Sequence, residues 1–306
     1  MHVLDIVLPV FLVIALGYGL RRAGFLDAGI SAAISRLVFY VAAPALLARA
    51  TAGNSLADTF NLPVLLVVIL TTILVGAGTY AFCFRCSRTR RGVIAQGAFR
   101  SNMVFVGLPI IIHAYGEESV NAVAVLISFM VIFYNFQGAV LLILPQQDES
   151  VRMSAILTRT TLSVLGNPLI IACVGGILFS LTGWAVPVVL DRSLALVGRT
   201  AAPLALLVVG AGMDFHRLRD DLRAATLVAL AKTVMYPAIV YAGLRALGVT
   251  GPDLRLPVMI MAAPTAVVSY IMARELKGDD RLAGAIVIGS TLISLLTTIG
   301  WLIVLG

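Results

Sequence analysis

The chain has 306 residues, 60% of them hydrophobic and 12% charged, with a formal net charge of +7 and a mean hydropathy of +1.03. A soluble domain carries about twice that share of charge, and ten membrane crossings of about 20 residues leave only about 100 residues for all ends and connections. These proportions exclude a nucleic-acid binder, a secreted disulfide scaffold and a membrane-anchored enzyme with an extramembrane catalytic domain.

In chain order, apolar stretches predict membrane-spanning helices over 3–20, 30–48, 63–84, 93–113, 120–144, 163–181, 193–213, 224–247, 256–273 and 282–305. The first lacks a basic leader and a small-residue cleavage site and is followed by Arg21 and Arg22, so it reads as a retained helix rather than a signal peptide. Of the 22 Lys and Arg residues, 14 fall in the loops after odd-numbered spans and four in the others. Basic residues resist translocation, so the odd loops are expected in the cytoplasm and both termini outside, in a multi-pass protein of the plasma membrane.

Sliding the chain on itself by 159 places brings Pro9 onto Pro168, Gly17 onto Gly176, Gly24 onto Gly183, and Ala42-Ala43-Pro44 onto Ala201-Ala202-Pro203. With a three-residue slip, Gly116-Glu117-Glu118 falls on Gly278-Asp279-Asp280 and Gly138 on Gly300. The chain therefore reads as two five-span repeats, 1–150 and 151–306. An odd number of spans forces the second repeat to enter the membrane from the opposite side, the inverted-repeat plan of secondary transporters.

Such proteins bind substrate at interrupted helices in corresponding positions, where unpaired backbone groups and half-helix dipoles face a ligand. Spans four and nine qualify, with Arg100-Ser101-Asn102 and Gly107-Leu108-Pro109 in one and Ala263-Pro264-Thr265 and Ser269 in the other. The repeat places Asn102 opposite Pro264. Proline removes a donor and breaks the helical ladder, so Gly107, Pro109 and Pro264 are the expected break residues, while Pro44 and Pro203 are expected to kink spans two and seven by packing.

Four cations, Arg36, Arg100, Arg199 and Lys232, lie more than five residues inside the spans, whereas their central parts hold no Asp or Glu. Proton and cation carriers use intramembrane carboxylates, so a cation substrate is disfavoured and an anion, met by Arg or Lys and by helix N-termini, is expected. Arg36 and Arg199 are read as snorkelling or capping carbonyls. Arg100, beside the span-four break, is a substrate-binding candidate, and Lys232 is read equally as touching substrate or as bonding a broken helix. Asn135 and Gln137 in span five should face a cavity or neighbouring helices. Cys83-x-x-Cys86 has zinc or redox spacing but lacks nearby ligands, and no metal or cofactor is expected. His2, His113 and His216 fall near span ends, which leaves no catalytic constellation at membrane depth.

The opening Leu8-Pro9-Val10, the run Gly17-Tyr18-Gly19-Leu20-Arg21-Arg22-Ala23-Gly24-Phe25-Leu26, Arg100-Ser101-Asn102 with Gly107-Leu108-Pro109, and Ala263-Pro264-Thr265 together resemble the auxin efflux carrier family of membrane transport proteins, over the whole chain. Its plant members, the PIN-FORMED exporters, carry a long hydrophilic segment between the halves. Here 146–160 is short, which is similar to compact bacterial members. The resemblance implies an all-α membrane protein of ten helices with crossed, broken helices four and nine. It also implies a scaffold of spans one, two, six and seven, a moving unit of spans three to five and eight to ten, and homodimerisation through the scaffold. Substrate would sit beside the crossing, with Asn102 at the position of a substrate-binding asparagine, and small carboxylates such as malonate or malate would be carried by an elevator mechanism. The coupling ion, proton or sodium, stays open. The rival is a sodium-coupled, bile-acid-symporter-like transporter, for which a buried Glu is missing.

Overall fold

The computed structural model describes residues 3–53, 61–143 and 166–306. Among them there are helices and no strands, apart from one isolated antiparallel bridge between Ser101 and Thr265. Hydrocarbon offers no partner for a backbone N–H or C=O, so apolar runs close their hydrogen bonds within themselves. Among the described residues, seven helices are long and apolar enough to cross a membrane: Val3–Arg22, Ala28–Ala52, Leu62–Phe82, Ser119–Ile143, Val188–Ala211, Leu222–Ala246 and Asp280–Leu305. Shorter apolar helices run over Met103–Tyr115 and Pro168–Leu181. The expected beginning of span six at 163, the segment 146–160 with Arg152 and Arg159, and His2 lie outside the described residues.

In chain order the α-helices are α1 (Val3–Arg22), α2 (Ala28–Leu37), α3 (Ala43–Ala52), α4 (Leu62–Phe82), α5 (Arg88–Phe99), α6 (Leu108–Tyr115), α7 (Ser119–Ile143) and α8 (Pro168–Leu181). They continue as α9 (Val188–Gly198), α10 (Ala201–Ala211), α11 (Phe215–Asp220), α12 (Leu222–Leu230), α13 (Tyr236–Ala246), α14 (Pro252–Ala262), α15 (Val268–Glu275) and α16 (Asp280–Leu305).

Prolines shape three of the joints. Wider π-turns at Val38–Ala42, Met103–Gly107 and Ala231–Met235 each end two residues before a proline, Pro44, Pro109 and Pro237. A proline has no N–H, and its ring presses on the carbonyl four residues back; opening the preceding turn relieves both. Gly107 and Pro109, expected at the break of span four, therefore lie inside a continuous helical stretch, Met103–Tyr115. The break falls earlier, at Arg100–Asn102. Pro203 sits in the first turn of α10, after a short turn at Arg199 and Thr200 that separates it from α9.

The chain divides into two compact units. The first comprises Met1–Leu62, Val104–Phe129 and Leu165–Met213. Its most extensive pairings are α1 on α10 and α8 on α3. Glycine permits both: a Cβ on Gly17 would collide with the Leu207 carbonyl, and one on Gly176 would collide with Thr51 Oγ1 and the Ala48 carbonyl. Gly17 and Gly176, like Ala48 and Leu207, are 159 positions apart. Replacing Gly176 with valine should overpack this contact, costing about 1–3 kcal/mol. A detergent-solution melting curve should show a clear loss of stability for Gly176→Val and little for Gly175→Val, whose Cβ would meet nothing within 4 Å. Ion pairs join Arg49 to Asp191 at 2.7 Å and Arg199 to Glu117 at 3.0 Å. Arg36 and Arg199, expected to snorkel or cap carbonyls, are both exposed, and Arg199 meets the carboxylate of Glu117 instead.

The second unit comprises Pro63–Met103, Met130–Val164 and Asp214–Gly306. Two threonines there play matching parts. Thr72 bonds back to the Val68 carbonyl at 2.6 Å and accepts Gln137 Nε2 on its own carbonyl at 2.9 Å. Thr233 bonds back to Ala229 at 2.8 Å and accepts Trp301 Nε1 at 2.9 Å. Outside the spans, Arg90 bonds Asp221 at 2.5 Å and lies 3.7 Å from Asp279, whose N–H donates to Thr89 O at 3.1 Å. Burial, with help from Cys86, pushes the nearby Cys83 thiol up to about 11.

Candidate functional site: a paired break in two helices

Small residues bring α5 deep into the second unit, and Gly92 to Phe99 are all buried. The helix stops at Arg100, whose backbone is extended with φ −73° and ψ 95°. The cause lies in the other helix. Residues before a proline avoid the helical region, and Ala263, before Pro264, adopts φ −54° and ψ 148°, which ends α14. The two extended triplets then pair: Asn102 N–H donates to Pro264 O at 2.7 Å, and Ala266 N–H donates to Arg100 O at 2.9 Å. The sequence-level match of Asn102 to Pro264 is thus also a contact.

Side chains repeat the reciprocity. Ser101 Oγ donates to Met261 O at 3.2 Å, and Thr265 Oγ1 donates to Gly97 O at 2.8 Å. Each donor and acceptor of one bond is 164 positions from its counterpart in the other, and the same shift relates the two backbone bonds. The bonds at the two breaks are therefore reciprocal, and each break's hydroxyl satisfies a carbonyl freed at the other helix's end. One addition is one-sided: Ser290 Oγ accepts from Thr265 N–H at 3.0 Å.

The two cations of this unit differ. Lys232 is fully buried, and its ammonium donates to Met261 O at 2.5 Å and Ala263 O at 2.7 Å, with the Tyr236 ring 5.0 Å away. Considered as a substrate contact, Lys232 is instead turned onto the last carbonyls of α14, where a cation also meets the negative end of the helix dipole. Arg100 is 5% exposed; Nη1 donates to Tyr134 O at 2.9 Å and Nη2 to Asn135 Oδ1 at 2.6 Å. Neither partner is a carboxylate, and among the described residues two of the five guanidinium N–H groups have a partner.

The other expected residues separate accordingly. Ser101, Asn102, Pro264 and Thr265 form the paired break, Asn135 accepts from Arg100, and Ser269 lies in the first turn of α15. Gln137 turns away from this group, onto Thr72 O, because Gly76 leaves room for its amide. Four residues escaped the sequence reading. Gln96 is fully buried and donates to Ser269 O at 3.0 Å. Tyr134 and Tyr236 join hydroxyls at 3.1 Å, Tyr236 meets Thr72 Oγ1 at 2.7 Å, and both approach Met261 Sδ. Ser290 is the fourth. A signal existed for Gln96: it is a polar residue in an apolar span, four positions before Arg100 and hence on its helix face.

Comparison with known proteins agrees with a transport role. The chain is 24% identical to an uncharacterized transporter of Methanothermobacter thermautotrophicus, covering 98% of each chain. It is 21% identical to a protein of Rhizobium meliloti described as a candidate malonate transporter, over 98% of this chain and 95% of the relative. An uncharacterized transporter of Methanocaldococcus jannaschii is 19% identical, over 97% of each. Residues 2–302 match the family described as membrane transport protein. These relatives are transporters, not enzymes. A multi-pass helical chain matched to this family from end to end belongs to the auxin efflux carrier family of membrane transport proteins.

Proposed function

We propose that this chain is a secondary carrier that moves a small organic anion, a carboxylate such as malonate, malate or an auxin-like acid, by elevator-type alternating access. The observation that carries the reading is Arg100: a nearly buried guanidinium at a paired helix break, held by a carbonyl and an amide and left with spare N–H groups. A carboxylate is the natural complement of such a group. The N-terminus of α15, which follows the Ala266–Arg100 bond, adds a favourable dipole.

Rejoining each broken pair, α5 with Met103–Tyr115 and α14 with α15, supports a count of ten spans. The matched contacts at shifts of 159, 161 and 164 support two inverted repeats. In this proposal the unit holding the crossing carries the anion between the two sides of the membrane. The unit with spans one, two, six and seven is the scaffold through which two copies dimerise. The distribution of Lys and Arg supports a plasma-membrane orientation with both termini outside the cytoplasm.

The test is thermal stability in detergent against malonate, malate, indole-3-acetate and a bile acid, each with sodium and with a large inert cation. A ligand bound only by the native state raises stability. A sodium-independent rise with one of the small carboxylates is expected. A rise that requires sodium and a bile acid would replace this reading with the symporter-like one.

A further inference from the structure

Two buried polar atoms at the paired break have no partner among the described residues. The Gln96 amide donates through Nε2 to Ser269 O at 3.0 Å, which fixes its orientation and leaves Oε1 buried and unbonded. Ser269 Oγ, in the first turn of α15 on a residue 2% exposed, is also unbonded. A Cβ placed on Gly138 would lie 2.8 Å from Gln96 Oε1 and 3.1 Å from Arg100 Nη1, so the free acceptor and the guanidinium both border this glycine. Buried polar atoms are almost always paired, and exceptions call for a function.

The chemistry of the three groups narrows what can complete them. A carboxylate satisfies Arg100 and the Ser269 hydroxyl but is repelled by Gln96 Oε1, which can only accept. A metal cation would satisfy Oε1 but is opposed by the adjacent guanidinium. An anion that also carries an O–H donor satisfies all three. We propose that Gln96 and Ser269 form a specificity subsite, so that the preferred substrate is a small carboxylate bearing an O–H group, either a hydroxyl or a second, protonated carboxyl. This rests on the carboxylate reading above and assigns its substrate class.

The test is competitive binding to the full chain in detergent, with malate against succinate and hydroxymalonate against malonate, at neutral and mildly acidic pH. The wild-type protein should prefer the hydroxylated acid of each pair by at least about tenfold at neutral pH, since a buried acceptor left unpaired penalises the analogue that lacks the donor. A hydroxyl donor keeps that preference as pH falls. A protonated carboxyl shows itself instead by malonate and succinate gaining affinity in acid. Gln96→Met should reduce the preference to less than about threefold while the deoxy acids still bind, and Ser269→Ala provides a second variant if the first does not fold. Equal binding within both pairs at either pH, an undiminished preference in Gln96→Met, or sodium-dependent binding with no preference would each overturn the proposal. Failure of all four acids to bind would overturn the carboxylate reading with it.

Discussion

Lys232→Met is expected to destabilise the protein more than any other single change at the crossing. The lysine is the donor to the last carbonyls of α14, at 2.5 Å to Met261 and 2.7 Å to Ala263. Methionine fills much of the volume but donates nothing. Met261 O would keep Ser101 Oγ, while Ala263 O would lose its lysine. A buried group left unpaired costs about 1–3 kcal/mol, and the loss of a charge-assisted bond adds to it. A markedly lower melting temperature is therefore expected, with transport lost because the pairing of Pro264 with Asn102 depends on where α14 ends. Lys232→Gln, which retains a donor, should recover part of the stability. A methionine variant as stable as wild type would show that the break does not depend on the lysine.

Arg100→Gln should behave differently, with a modest effect on folding and a large one on the ligand. Glutamine can replace one of the bonds to Tyr134 O or Asn135 Oδ1, and removing a buried charge that has no carboxylate partner leaves no ion unpaired. The charge-assisted bonds to a substrate carboxylate would be lost, and these contribute about 1.5–3 kcal/mol, or roughly 10–100-fold in affinity. The separation between the two variants, one acting on stability and the other on affinity, distinguishes a cation that finishes a helix from a cation that meets a substrate.

How much of this was legible in the sequence depends on whether the cause was local. Uninterrupted apolar runs read directly as helices, and Leu62–Phe82 and Asp280–Leu305 lie within two residues of the expected bounds. Pro264 announced its break, because a proline acts on its own helix and on the residue before it. The break at Arg100–Asn102 has no proline. It arises when these residues pair with Pro264–Ala266, a contact between segments far apart in sequence, so a search for prolines led to Gly107 and Pro109 instead. The latter proline is absorbed by the π-turn at Met103–Gly107. The fate of Lys232 was equally non-local: sequence showed a buried cation but not the carbonyls at 2.5 and 2.7 Å that occupy it. Gln96 was visible as a polar residue in an apolar span. Its importance appears only when Ser269, from the other half of the chain, takes its amide and leaves Oε1 unpaired.

The central claim is that Arg100 at the paired break holds a small carboxylate. Equilibrium binding of radiolabelled malate or malonate to purified wild-type and Arg100→Gln protein, alongside melting curves of both, tests it most directly. The account predicts saturable binding to wild type and at least about tenfold weaker binding to the variant, with melting temperatures that stay close. Equal affinity in two equally stable proteins would place the anion elsewhere and contradict the claim.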